Sequence, residues 1–445
     1  MARVKIAIIG GGSYGWTPTI VRDLCLQEDL EGELVLEDIN PEPIKLTEPL
    51  AKKISEMTGG SFEVSATTNQ TEALTDADFI ILTISTGRLK TMHHDLEVPR
   101  KYGIHQPVGD TVGPGGLSRG LRNIPVIVDM AQEMDRVCPN AWFFNYTNPM
   151  TTLTRSIYKH SSIKAIGLCH ELFGVRHGIA QMLDVEESDL DLVAAGVNHL
   201  IWLLRCTVAG QDAFELLKKA IAEGKDRGDA DPNLVNKTAA MDKWQVKLKL
   251  LDVFGALPSA GDRHVVEFFP YFLTERCNYA ADYGVKMTYI SDREQGYKHA
   301  RERIERQLAG EDEIKVGTQS HEAVSKLIAA LANHKEGIID IVNLPNRGQI
   351  ANLPREAVVE TLGQIGPHDA TPLSVGDLPP AIQSICNTHV VNRELIIEAA
   401  MTGSRYLALQ ALYNDPQVKE FDYVPQMLEE LLEANRDYLP RFFQD

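Results

Sequence analysis

Short apolar runs rich in β-branched residues recur through the first two hundred residues: VKIAII (4–9), ELVLED (33–38), FEVSAT (62–67), DFIILTIS (78–85), AWFFNYT (141–147) and KAIGLC (164–169). Amphipathic stretches of helical period separate them, such as the one carrying Ile44, Leu50, Ile54 and Met57. Strands apolar on both faces and alternating with helices predict a parallel sheet with helices on both sides. The rhythm changes near residue 190. DLVAAGVNHLIWLLRCTVAG (191–210) reads as extended segments near a turn. The remainder reads mostly as long helices near 233–254, 297–309, 319–334, 378–413 and 423–436 with a few strands. The expected fold class is therefore α/β: a Rossmann-like doubly wound parallel sheet over 1–190, followed by an α+β, largely helical C-terminal domain over 191–445. No internal repeat or low-complexity tract interrupts this pattern.

A chain of 445 residues is too long for one small core, in keeping with two closely packed domains. The net charge of -18, from 44 Lys+Arg against 62 Asp+Glu, argues against a nucleic-acid or membrane-surface binder, which would need a basic face. The first apolar run is far shorter than a signal-peptide core and glycines follow at once, so the expected location is cytoplasmic. Six cysteines, scattered and without CxxC spacing, read as free thiols.

In VKIAIIGGGSYGW the glycines Gly10, Gly12 and Gly15 form GxGxxG directly after a predicted strand, with Ser13 between them. The first permits a tight turn, the second lets backbone approach a pyrophosphate, and the third is expected to let the helix pack on the sheet. ELVLED ends in Glu37-Asp38, where the Asp38 carboxylate is positioned to accept hydrogen bonds from a ribose. An acid there favours NAD over NADP.

Further chemistry clusters at predicted strand ends, the edge where open α/β sheets hold their ligands. GLCHELFG (167–174) sets Cys169, His170 and Glu171 side by side, and GVNHLIW offers Asn198 and His199 in an apolar stretch. A thiolate and an imidazole from separate segments suit one divalent metal with open coordination positions; a buried thiol and a core histidine are the alternative. GIHQPVGDTVGPGGLSRGLR (103–122) reads as a glycine-rich loop presenting Asp110, with Arg119 and Arg122 following. SAGDRHVVEF (259–268) groups Asp262, Arg263 and His264, and NYTNPM (145–150) offers Asn148. NLPNRGQIANLP (343–354) adds Arg347 as a weaker candidate; a helix cap is the alternative for NYTNPM and solvated or polar turns for the other segments.

Taken in order, IAIIGGGSYGW, LEDIN, the GDTVGPGG loop, NYTNPM, GLCHE, GVNHLIW, GDRHVVEF and NLPNRGQIANLP resemble glycoside hydrolase family four over most of the chain. The resemblance implies NAD and a divalent metal, usually manganese, held by Cys169 and His199. The Cys-His-Glu, GDTVGPGG and AGDRH segments look closest to its α-galacturonidase branch; α-glucuronides, α-galactosides and α-glucosides are alternative substrates within the family. The implied reaction oxidises the sugar at C3, removes the C2 proton, eliminates the glycosidic oxygen, then adds water and returns hydride. On this resemblance Asp262 is expected as the base and Asp110 as the acid, with His170 the alternative acid. Asn148, Glu171, Asn198, Arg263 and His264 are expected to contact substrate.

The expected partner is a small glycoside, a uronide first, with no nucleic acid or membrane, and the chain is expected to form a homodimer or homotetramer. A 2-hydroxyacid or polyol dehydrogenase would share the fold and cofactor but would release NADH and need no Cys-His metal pair. An NAD-sensing binding protein would bind nucleotide without turnover.

Overall fold

The computed structural model describes residues 1–223, 244–320, 322–333, 338–367 and 369–444. The six apolar runs form β1 (Ala2–Ile9), β2 (Leu30–Glu37), β3 (Phe62–Thr67), β4 (Phe79–Leu82), β5 (Trp142–Asn145) and β6 (Lys164–Gly167). They pair in parallel in the spatial order β3-β2-β1-β4-β5-β6, the order of a doubly wound dinucleotide fold. Alternate residues of β1 show why both faces are apolar: Ile6 and Ile8 join one buried cluster and Ala7 and Ile9 the other.

The sheet continues past β6 through later strands. These are β7 (Leu190–Val197), β8 (Leu200–Val208), β9 (Gln211–Asp212), β10 (Leu257–Pro258), β11 (Ile338–Pro345), β12 (Val358–Ile365) and β13 (Ala370–Pro372). Beyond β6 the order is β11-β12-β7-β8-β10 and every pairing is antiparallel. A single register row runs Gly167, Asn343, Glu360, Gly196 across β6, β11, β12 and β7. That row brings the exit of β6, two residues before Cys169, level with the exit of β7, two residues before Asn198.

The C-terminal helices return to the parallel half. Ile396, Ile397, Met427, Leu428 and Leu431 join Leu121, Ile124 and Val128 in one core. The expected helix over 378–413 is two, Pro380–Thr402 and Arg405–Tyr413. Gly403, at φ +71, breaks it: a Cβ there would lie 2.1 Å from the Arg441 carbonyl. The expected loop over 103–122 ends earlier, because the helix Gly113–Val137 begins inside it. Glycines suit that first turn because Cβ atoms on Gly115 and Gly116 would lie 2.6 and 2.5 Å from the backbone of Gly109 and Thr111. The expected helices at 297–309 and 319–334 are Ile290–Ala309 and Val324–Ala332. Of the one at 233–254, Gln245–Phe254 is helical and residues 233–243 lie outside the described residues. Among the described residues no helix is long and apolar enough to cross a membrane.

Candidate active site

The glycine loop leaves β1 at Gly10 with φ +88, and the amides of Gly10 and Gly11 both donate to the Glu37 carbonyl, at 2.9 and 2.7 Å. A Cβ on Gly12 would lie 2.6 Å from Asp38 Oδ2, and the Gly12 amide donates to that oxygen at 3.2 Å. The loop is thus held against the end of β2, with Asp38 at its side. The Ser13 hydroxyl accepts from the Trp16 amide at 3.2 Å as the helix Trp16–Cys25 begins. One expectation changes: a Cβ on Gly15 would meet nothing within 4 Å, and it is Gly11, 2.8 Å from Leu36 Cβ, that close packing against the strand requires. Burial and the neighbouring Asp38 charge push the Glu37 carboxyl up to about 7.

Beside this edge a cleft with about 90 Å³ open to the centre of a water-sized sphere is lined by polar groups from distant segments. Trp16 comes from the helix after the glycine loop, and Asp110 and Asn148 from the turns after the Arg88–Lys101 helix and β5. Cys169, His170 and Glu171 follow β6, His199 is at the β7–β8 tip, Arg263 and His264 are in the helix Asp262–Phe268, and Arg293 is in the helix Ile290–Ala309. His199 sits in the hairpin turn at φ +63, a strained backbone for a residue with a side chain.

The Thr111 hydroxyl donates to Asp110 Oδ1 at 2.7 Å, so at its 2.8 Å contact with His199 it accepts from Nδ1. That arrangement leaves His199 Nε2 with a free lone pair, the form a metal ligand needs. Burial, and after it the His264 ring tilted against it with centroids 3.8 Å apart, lowers the His199 pKa to about 3. Asp110, His199 and His264 place potential ligand atoms within 4.8 Å of one another, and Cys169 lines the same cleft. Burial and the Glu360 and Glu171 carboxylates raise the Cys169 thiol well above its usual range; a dication would reverse that balance, so the donor set fits a divalent ion.

Burial opposes the Asp110 carboxylate, yet His264, Arg119, His199 and the Thr111 hydroxyl hold its pKa at about 2. Glu171, likewise about 2 despite burial, accepts from the Gly261 amide at 2.6 Å and lies 3.7 Å from His170 Nε2. His170 Nδ1 faces Glu322 at 3.4 Å.

Two further expectations are corrected by the geometry. Asp262 does not line the cleft: its carboxylate pairs with Lys247 Nζ at 2.8 Å and accepts from the amides of Val246 and Lys247, all buried. Asn198 is fully buried behind the cleft, its amide beside Cys169 and Glu360. Of the other arginines, Arg122 forks onto Asp95 and Arg347 is exposed away from the cleft. Arg119 donates to the Asn148 carbonyl at 2.9 Å.

Sequence reasoning missed Arg293, Glu267, Glu322 and Glu360. Glu267 Oε1 accepts from the amides of Val108 and Gly109, at 2.7 and 2.8 Å, and so anchors the Asp110 loop. Glu360, an acid inside the apolar run VVETL, carried a readable signal; Arg293 sits on an exposed polar helix and carried none.

Residues 5–185 match the family model described as family 4 glycosyl hydrolase, and residues 194–418 match that family's C-terminal domain. This chain belongs to family 4 of the glycosyl hydrolases. An α-galacturonidase of Lachnoclostridium phytofermentans is 35% identical, the match covering 98% of this chain and 97% of that one. The crystal structure of lplD from Bacillus subtilis superposes with a TM-score of 0.87 at 32% identity, over 98% of this chain and 100% of that one. A 6-phospho-β-glucosidase of Thermotoga maritima, solved with manganese, NAD+ and glucose-6-phosphate, gives 0.80 at 26% identity over 98% and 99%.

Proposed function

We propose that this family 4 enzyme is an NAD- and manganese-dependent α-glycosidase acting on small α-hexuronides, α-galacturonides above all, by C3 oxidation, C2 deprotonation and elimination. The observation that carries the reading is the shared cleft: Trp16, leading out of the nucleotide loop, lines it together with Cys169 and His199. The α-galacturonidase relative and the manganese- and NAD+-bound neighbour support it. When bound, NAD would supply a hydride acceptor and donor for the sugar, and a divalent metal would supply electrostatic stabilisation of negative charge developing on the sugar oxygens.

The chain's own groups do the rest. The Gly10–Gly15 loop and the first turn of its helix receive the pyrophosphate, and Asp38 accepts from the ribose. Cys169 and His199 hold the metal, with Asp110 beside them. His264, whose buried Nδ1 has no hydrogen-bond partner among the described residues, takes the C2 proton, and His170, with Glu322 at Nδ1 and Glu171 3.7 Å from Nε2, protonates the leaving oxygen from Nε2. Arg263 and Arg293, close enough for the second to lower the pKa of the first after burial has done so, form the cationic wall for a C6 carboxylate.

The same reading assigns residues 1–190 to the nucleotide and 191–445 to substrate and self-association, in a cytoplasmic homodimer or homotetramer.

A panel of nitrophenyl α-galacturonide, α-glucuronide, α-galactoside and α-glucoside, assayed with and without NAD and manganese, tests the proposal. The galacturonide is expected to have the highest kcat/KM, with no net NADH formed; a neutral glycoside emerging best overturns the sugar. NADH accumulating in proportion to product overturns the elimination route. Deuterium at C2 is expected to wash into solvent, and His264→Gln to suppress that washout.

A further inference from the structure

Thr111, whose hydroxyl touches Asp110 and His199, also lines a second and smaller cavity. Its space, about 10 Å³ for the centre of a water-sized sphere, suits one water or one monatomic ion. The helix Pro380–Thr402 presents His389, Asn392, Arg393 and Ile396 to it, at the i, i+3, i+4, i+7 spacing of one helical face. Val112 and Gly113, at the N-terminus of the helix Gly113–Val137, also line it.

Arg393 is only 6% exposed, and among the described residues neither Nη1 nor Nη2 has a hydrogen-bond partner. Arg122, just as deeply buried, shows the usual solution: a fork onto Asp95 with further bonds to Ser118 and the Thr86 carbonyl. Among the described residues nothing comparable serves Arg393. Glu360 acts on it from a distance, but that carboxyl accepts from Asn343 at 2.9 Å, and burial pushes it up to about 7. Asp415 lines the cavity, yet its two oxygens accept from the amides of Gly113 and Gln417. Burial lowers the Arg393 pKa only to about 10, so the guanidinium keeps its charge at neutral pH. His389, 1% exposed and neutral because burial lowers its pKa to about 3, has an unpartnered Nε2. A charge buried without a counterion is costly, and a single water solvates it without neutralising it.

We propose that this cavity binds one monatomic anion, chloride in solution, held by the Arg393 guanidinium and a ring N–H of His389.

The test uses thermal unfolding of the full chain in sodium gluconate, titrated with sodium chloride or bromide at constant ionic strength. Specific binding raises Tm saturably, by about 3 °C at a hundredfold excess over half-saturation for a chain of this size. Arg393→Met removes the halide dependence. A bromide-soaked crystal provides the second readout, independent of any variant's folding: an anomalous peak between Arg393 and His389. A wild-type Tm that does not distinguish halide from gluconate, or a cavity without a bromide peak, overturns the proposal in favour of a water.

Discussion

At the nucleotide edge, residues from Gly10 to Asp38 come from one βαβ unit, and what they offer is largely backbone: a turn at φ +88, amides drawn toward Glu37, and one carboxylate. In the adjoining cleft the groups come from stretches between Trp16 and Arg293, and they are side chains whose states depend on each other. A site made of local backbone is set by which residues tolerate the turn. A site made of distant side chains is set by register and burial, so a residue type at the right place in sequence can still face the wrong way. Asp110 and Asp262 illustrate this: both are acids in glycine-flanked segments, yet one lines the cleft and the other closes a buried ion pair.

The comparison breaks most visibly if a cleft ligand can be removed cheaply. His199→Ala is expected to lower kcat/KM by about 10³-fold or more, since metal-borne charge stabilisation is worth several kcal/mol. NAD affinity, measured by calorimetry, stays near wild type; full activity in the metal-depleted variant would refute the assignment. Asp262→Asn is expected to act on stability instead, by about 3–5 kcal/mol, because it removes the anionic half of a buried ion pair. Urea unfolding measures it, and a variant as stable as wild type but catalytically dead would restore Asp262 to the catalytic set.

Glu37 sharpens the nucleotide side. Its folded pKa, about 7, lies above the ordinary 4.5, so between those values the native state binds more protons than the unfolded chain. Stability therefore falls as pH rises through that window, by up to about 3 kcal/mol for this group. Glu37→Gln, which stays neutral, is expected to flatten the fall between pH 5 and pH 8; unchanged slopes would place Glu37 in a more polar setting. The smallest effects form a matched pair. Gly12→Val forces side-chain atoms onto Asp38 and weakens NAD by about 10–100-fold. Thr111→Val removes the partner of His199 and weakens the metal by about 10–100-fold. Each is expected to leave the other ligand alone, and cross-effects in equilibrium binding would show that the two regions are coupled.

Much of the fold was legible. The six β-rich runs and the glycine loop depend on local apolar pattern and turn chemistry, and each became the expected strand or turn. The extent of the 103–122 loop was misread because glycines signal turns, whereas here they let a helix start against backbone. Nothing local marks Arg293 as a cleft residue, since its helix is polar and almost wholly exposed.

By itself, then, the order of residues determined the doubly wound half, the nucleotide loop with its acid, and the residue types from which a metal site can be made, because each depends on spacings of a few residues. Only the tertiary structure decided which of them meet. The row Gly167, Asn343, Glu360, Gly196 aligns two strand exits separated by some thirty residues and so brings Cys169 and His199 to one cleft. Packing then set the charge on each group: neighbouring cationic and hydrogen-bonding groups hold Asp110 at about 2 against its burial, and burial raises Glu360 to about 7. Solvent exclusion and neighbouring charge are properties of the packed molecule, and no spacing along the chain encodes them directly.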